Sequence, residues 1–134
     1  MIRHLRAAAL PFATLPLAAL AALLLAPFLF SQAVAHHGWS WTTGGNIELT
    51  GIIREAKLGN PHGELKVEAE GEVWTVEVGQ PWRNERAGLS DSDFAVGNEI
   101  TIVGEPSADM AQKLLKAEMI IISGKEYPLY PNRS

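Results

Sequence analysis

From Leu65 to Ala69 apolar residues alternate with Lys66 and Glu68, the period of two expected of a strand with one face in a core and the other outside. Gly71 allows a hairpin, and Trp74, Val76 and Val78 carry the alternation onto a returning strand. Upstream, Ile47 to Leu58 predicts a longer strand whose apolar rhythm, set by Ile47 and Leu49, slips at Gly51-Ile52-Ile53. A glycine at such a slip marks a bulge or a strong bend. Asn60-Pro61-His62-Gly63 predicts a turn, since Asn, Pro and Gly each favour turn geometry. From Gln80 to Phe94 the period changes: Pro81 suits a first helical turn, Gly88 a helix end, and Asp91 and Asp93 caps or turns. Gly97-Asn98 then turns the chain into a fourth strand, Glu99 to Gly104, and a loop at 105–112 leads to a fifth, Leu114 to Ile122.

Three strands, one short helix and two further strands predict a mainly β chain, a small five-stranded barrel of the oligonucleotide/oligosaccharide-binding (OB) type at residues 47–123. A bent first strand fits, because it can serve both halves of a small barrel. Residues 36–46, rich in Gly, Thr and Trp and without a period, form an N-terminal arm that Trp39 and Trp41 pin to the barrel. Residues 124–134 form a tail clasped by Tyr127 and Tyr130; Trp74 reads as a core residue and Trp82 as a helix-packing one. Glu64, Glu68, Glu70 and Glu72 read as a solvated strand face.

The first 35 residues follow a different logic. Arg3 and Arg6 precede an uncharged run from Leu10 to Phe30, and Ala33-Val34-Ala35 then supplies the small residues of a cleavage site. This is the pattern of a secretory signal peptide, here a signal helix over 1–35, and it predicts a periplasmic protein. The run is long enough to cross a bilayer as an uncleaved anchor, but Pro11, Pro16 and Pro27 interrupt it. Cleavage after Ala35 leaves 99 of the 134 residues, starting at His36, with no stable membrane association. The chain has no cysteine, so its core holds the fold without disulfides. Of 11 Lys and Arg, 2 precede residue 36, so the mature chain sets 9 against 15 Asp and Glu, a net charge of −6 with neutral histidines. That balance argues against nucleic acid and anionic membrane surfaces as partners, both of which require a basic face. It suits a cation.

His36-His37 behind the leader, Asn60-Pro61-His62 after the first strand, "EVWTVEVGQPWRNERAGL" and "FAVGNEITIVGEPSADMAQKLLKAEMII" together resemble a family of small exported bacterial proteins of unknown function. The resemblance runs from about His36 to Ile122. It implies export and a small β-barrel, and it implies no settled activity. The chain departs from that pattern at Gly38-Trp39-Ser40-Trp41, where a Ser-Phe type sequence is more usual.

The three histidines of the mature chain fall at its first two positions and in a tight turn. A cleaved His36 carries a free α-amine with a reference pKa of about 7.7–8.0 beside an imidazole of about 6.5. Amine and ring Nδ1 together close a six-membered chelate, and His62 adds a third nitrogen. Cu(II) favours such an all-nitrogen set and heads the divalent affinity order, so the arrangement is similar to the histidine brace of exported copper proteins. The arm is long enough to bring His36 to His62. A rival mode uses the amine, a backbone amide nitrogen and the His37 ring. Zinc is the weaker alternative, because it requires a fourth ligand that the sequence does not name. Thiolate or methionine-cluster storage of Cu(I) is unsupported, with no Cys and only Met110 and Met119 in the mature chain. No G-x-S-x-G, Ser/His/Asp set or phosphate loop is present. The expectation is a non-enzymatic carrier or buffer of copper, with His36, His37 and His62 as candidate ligands. The alternative is a metal-free OB-like adaptor for an envelope protein or small ligand. A brace-type copper oxidase acting on polysaccharide ranks third, since the chain is short and shows no broad aromatic platform.

Overall fold

The computed structural model describes residues 38–133. Six strands and one α-helix follow in the order β1 (Ile47–Lys57), β2 (Glu64–Ala69), β3 (Glu72–Glu77), α1 (Pro81–Ala87), β4 (Glu99–Pro106), β5 (Leu114–Ile122) and β6 (Lys125–Pro128), with a 3-10 turn at Asp91–Phe94 before β4. The signal segment and both N-terminal histidines lie outside the described residues.

Neighbouring strands run β3-β2-β1-β4-β5-β6, and a parallel pairing of β3 with β5 closes the first five into a barrel. This is the OB-like barrel that the element order predicts, with one strand more. β1 does serve both halves. Its residues 47–52 pair with β4 and its residues 52–57 with β2, so the strand turns the corner near Ile52. Gly51 makes that corner possible, because a Cβ there would stand 2.3 Å from the carbonyl oxygen of Glu68. The ladder irregularity itself falls two residues later, between Ile53 and Glu55.

The interior is filled by the alternating residues: Ile53, Leu65, Val67, Val76, Ile100, Ile102, Leu115 and Ile120 are all nearly inaccessible, and Phe94 of the 3-10 turn packs with them. α1 begins at Pro81 and ends on Gly88 in the left-handed region at φ 97°, the asymmetry that Pro and Gly favour. Asp93 and Ser90 form a capping box on the 3-10 turn, as cap-type residues should. Trp82 departs from expectation. It is 50% exposed, with the Arg83 guanidinium over its ring, so it packs no core.

The tail also differs from a plain clasp. Residues 125–128 form β6 against β5, and Leu129 just beyond is fully buried. Arm and tail together lay a second, polar and aromatic layer over the outside of the barrel. Thr43 N–H donates to the Pro106 carbonyl and Ala108 N–H to the Trp41 carbonyl, fixing the arm beside the end of β4. Trp39 meets Tyr130 edge to face at 5.1 Å, and the Arg133 guanidinium lies 3.8 Å over the Trp39 ring. The outward residues Glu77, Glu105, Lys116 and Glu118 are buried beneath that layer.

Candidate metal centre

His62 stands at one end of the barrel, in the loop between β1 and β2. The loop is stitched to the chain after β3: Gly63 N–H donates to the Gly79 carbonyl and Val78 N–H to the Gly63 carbonyl. Only a glycine fits at 63, where a Cβ would sit 2.7 Å from a Val78 methyl. The His62 ring is anchored in turn, its Nδ1 lying 3.2 Å from the Gly63 carbonyl oxygen. A carbonyl can only accept, so in this contact Nδ1 is the N–H donor. Metal-binding histidines are usually held this way, by the nitrogen that does not bind. Nε2 faces Glu77, with Oε1 at 3.6 Å.

Glu77 is 6% exposed and ends β3, directly opposite Lys116 of β5 in the parallel register. Its Oε2 accepts from Lys116 Nζ at 3.4 Å. The same ammonium donates to the Gly38 carbonyl at 3.2 Å and lies over the rings of Trp39 and Trp41, at 5.1 and 6.0 Å. One chain of contacts therefore runs from the turn histidine through Glu77 and Lys116 to the first described residue of the arm. Of these groups Gly38, Trp39, His62 and Lys116 line a pocket of about 300 Å³, together with Arg83 and Tyr130 among others. Arg83 is turned aside, donating to the Leu129 carbonyl and stacking on Trp82 and Tyr130. A second pocket of similar size, beyond Arg83 against Arg86, Leu129 and Asn132, has neither histidine nor carboxylate in its wall.

Of the three sequence-predicted ligands, His62 is in the pocket, while His36 and His37 lie outside the described residues. Gly38, which follows His37 directly, lines the same pocket as His62. Among the described residues no three His, Cys, Asp or Glu side chains come together as a metal-holding group. Reading the sequence by period alone misses Glu77 and Lys116. Both occupy outward positions that alternation assigns to water, and the arm removes them from it.

Glu105 and Glu118 are held by residues of the arm and tail. Arg133 donates to both, at 2.6 and 3.0 Å, Gly44 N–H and the Thr42 hydroxyl donate to Glu105, and Asn46 donates to Glu118. Burial pushes the Glu105 carboxyl up, but the Thr42, Arg133 and Gly44 hydrogen bonds and the Arg133 charge outweigh it and hold it below the ordinary value of 4.5. Burial also raises the Tyr130 phenol above 10.0. Tyr130 is therefore a neutral wall of the pocket.

A family described as a family of unknown function (DUF6152) matches residues 26–115, a span that takes in all three candidate ligands. No curated protein matches in sequence. Among solved structures, the chain is similar to the ZRD-deleted mutant of TiaS in complex with agmatine, at 13% identity and a TM-score of 0.43. The similarity covers 63% of this chain and 26% of that one, so the chain spans about a quarter of that protein's length.

Proposed function

The chain belongs to the family of unknown function DUF6152, and from that premise we propose that it is an exported, non-enzymatic β-barrel that binds Cu(II) where its mature N-terminus meets His62. The ligands are the His36 α-amine, the His36 ring and His62 Nε2, and the protein carries or buffers the ion in the periplasm. One observation carries the reading: Gly38, two residues after His36, lies in the wall of the pocket that holds His62. Two residues span at most about 7 Å of chain, which supports a site formed with His62. The anchored Nδ1 of His62 and the mature net charge support the same reading. Zinc remains the weaker competitor for the same nitrogens.

Isothermal titration of Cu(II) into protein beginning at His36 tests it. The expected result is one ion per chain with a sub-micromolar Kd. Either His36→Ala or His62→Ala weakens binding about tenfold or more. Micromolar or weaker binding that His36→Ala leaves unchanged overturns it. The metal-free adaptor reading is favoured by the pocket's two cations, Arg83 and Lys116, and its aromatic wall, which suit an anionic small ligand or a partner's carboxylate. The metal content of protein purified from its native envelope separates the two.

A further inference from the structure

In a chain with more acid than base, most cations have a carboxylate beside them. Among the described residues Arg54, Lys57, Lys66, Lys113, Lys116 and Arg133 each stand within 3.4 Å of one. The basic residues that do not are Lys125, which lies over the Tyr127 ring, and the pair Arg83 and Arg86. These two arginines are three apart on α1, so they share a face of the helix. Both line the pocket between α1 and the tail. Like charges one turn apart on a helix are mildly destabilising, and no carboxylate in that wall offsets them.

Arg83 is held in place for a guest. Its guanidinium lies over the rings of Trp82 and Tyr130, at 4.6 and 4.2 Å. Nη1 donates to the Leu129 carbonyl at 3.1 Å and Nε to Gln80 Oε1 at 3.3 Å. Nη2 has no protein partner among the described residues, and Arg86 makes no hydrogen bond or ion pair with them. A fixed planar fork with an unused nitrogen is the donor that carboxylates and phosphates fit. Asn132 adds a side-chain amide to the wall, and Ala87, Pro128, Leu129 and Pro131 supply apolar surface. The cavity of about 340 Å³ is large enough for a small molecule. We propose that this pocket binds a small amphiphilic anion, with a carboxylate or phosphate monoester head on Arg83 and Arg86 and a short apolar body against Pro128 and Pro131. The site needs neither the N-terminal histidines nor His62, so it stands whether or not the protein binds copper.

NMR titration of ¹⁵N-labelled protein beginning at His36, which keeps every described contact, tests it at physiological salt. The probes are hexanoate, hexyl phosphate, acetate and hexanol. Hexanoate or hexyl phosphate is expected to give saturable shifts of the Arg83 and Arg86 Nε–H and of the Leu129 and Asn132 amides, and the tighter of the two identifies the head group. Acetate should bind at least about tenfold more weakly, because it lacks the methylenes to bury. Hexanol, without the charge, should leave these resonances unmoved. Arg86 is exposed, so Arg86→Gln keeps the fold, which its remaining amide spectrum verifies, and it should lower affinity about tenfold or more. Absence of saturable shifts, an equal response to hexanol, acetate binding as tightly as hexanoate, or an affinity unchanged in Arg86→Gln overturns the proposal. Shifts spread evenly over surface Lys and Arg would mean counterion adsorption only, and overturn it too.

Discussion

At the scale of single residues, the charged groups beneath the arm set the pH response of the fold. The lowered carboxyl of Glu105 belongs to the folded state, so the unfolded chain takes up that proton more readily. Its stabilisation is complete above the ordinary carboxylate value of 4.5 and is lost as pH falls through the lowered one. Glu105→Gln is expected to destabilise the protein by about 1–3 kcal/mol at neutral pH, because an amide cannot accept from Thr42, Gly44 and Arg133 together. Urea denaturation from neutral to acidic pH should show the difference between wild type and variant shrinking as pH falls; a constant difference would assign the carboxylate no titrating role. None of this was legible beforehand. In "EVWTVEV" the alternation of Trp74, Val76 and Val78 sends Glu77 outward, and Glu105 falls in the loop predicted at 105–112. They are buried because arm and tail return over that face, a long-range fact with no local period.

At the scale of elements, close approach of backbones decides which positions tolerate a side chain. Where β4 crosses β5, a Cβ on Gly104 would stand 2.1 Å from the Lys116 carbonyl oxygen, and the ladder shifts register between Val103 and Gly104. Gly104→Ala therefore has to spread the two strands, at a cost of about 1–3 kcal/mol or more, and it displaces Lys116, the residue that ties the arm to Glu77. Gly45→Ala meets nothing within 4 Å and is expected to change stability by no more than about 0.5 kcal/mol. Chemical denaturation of both variants checks the contrast; equal effects would mean the crossing relaxes freely. The first five strands were legible, β2 and β3 from their alternation of period two, and the slip at Gly51-Ile52-Ile53 announced the shared first strand. β6 was not. Four residues with Pro128 at the end offer too little pattern, and only the burial of Leu129 and the packing of Tyr127 against the core explain why they pair with β5.

At the scale of the whole molecule, the described start of the arm is held because aromatic and cationic groups from two other stretches meet on Trp39: Lys116 from β5, Tyr130 and Arg133 from the tail. The sequence offered a histidine in a turn, tryptophans that pin the arm and tyrosines that clasp the tail, but not that Trp39 and Tyr130 would meet each other. If the clasp presents His36 to His62, then binding of Cu(II) couples arm, turn and barrel into one cooperative unit, and the ion stabilises the folded chain as a ligand. At a free concentration of 100 times Kd that linkage amounts to about 2.7 kcal/mol. For a domain of this size each kcal/mol raises the melting temperature by about 4–8 °C, so an increase of about 10–20 °C is expected. A form carrying one extra residue before His36 keeps every described contact but moves the α-amine away from the ring it must chelate with, and its melting temperature should hardly respond to copper. Differential scanning calorimetry of the two forms, with and without Cu(II), decides the matter. Equal stabilisation of both would show that the ion is held without the free amine, by His37 or at the barrel surface, and the His36 chelate would have to be given up.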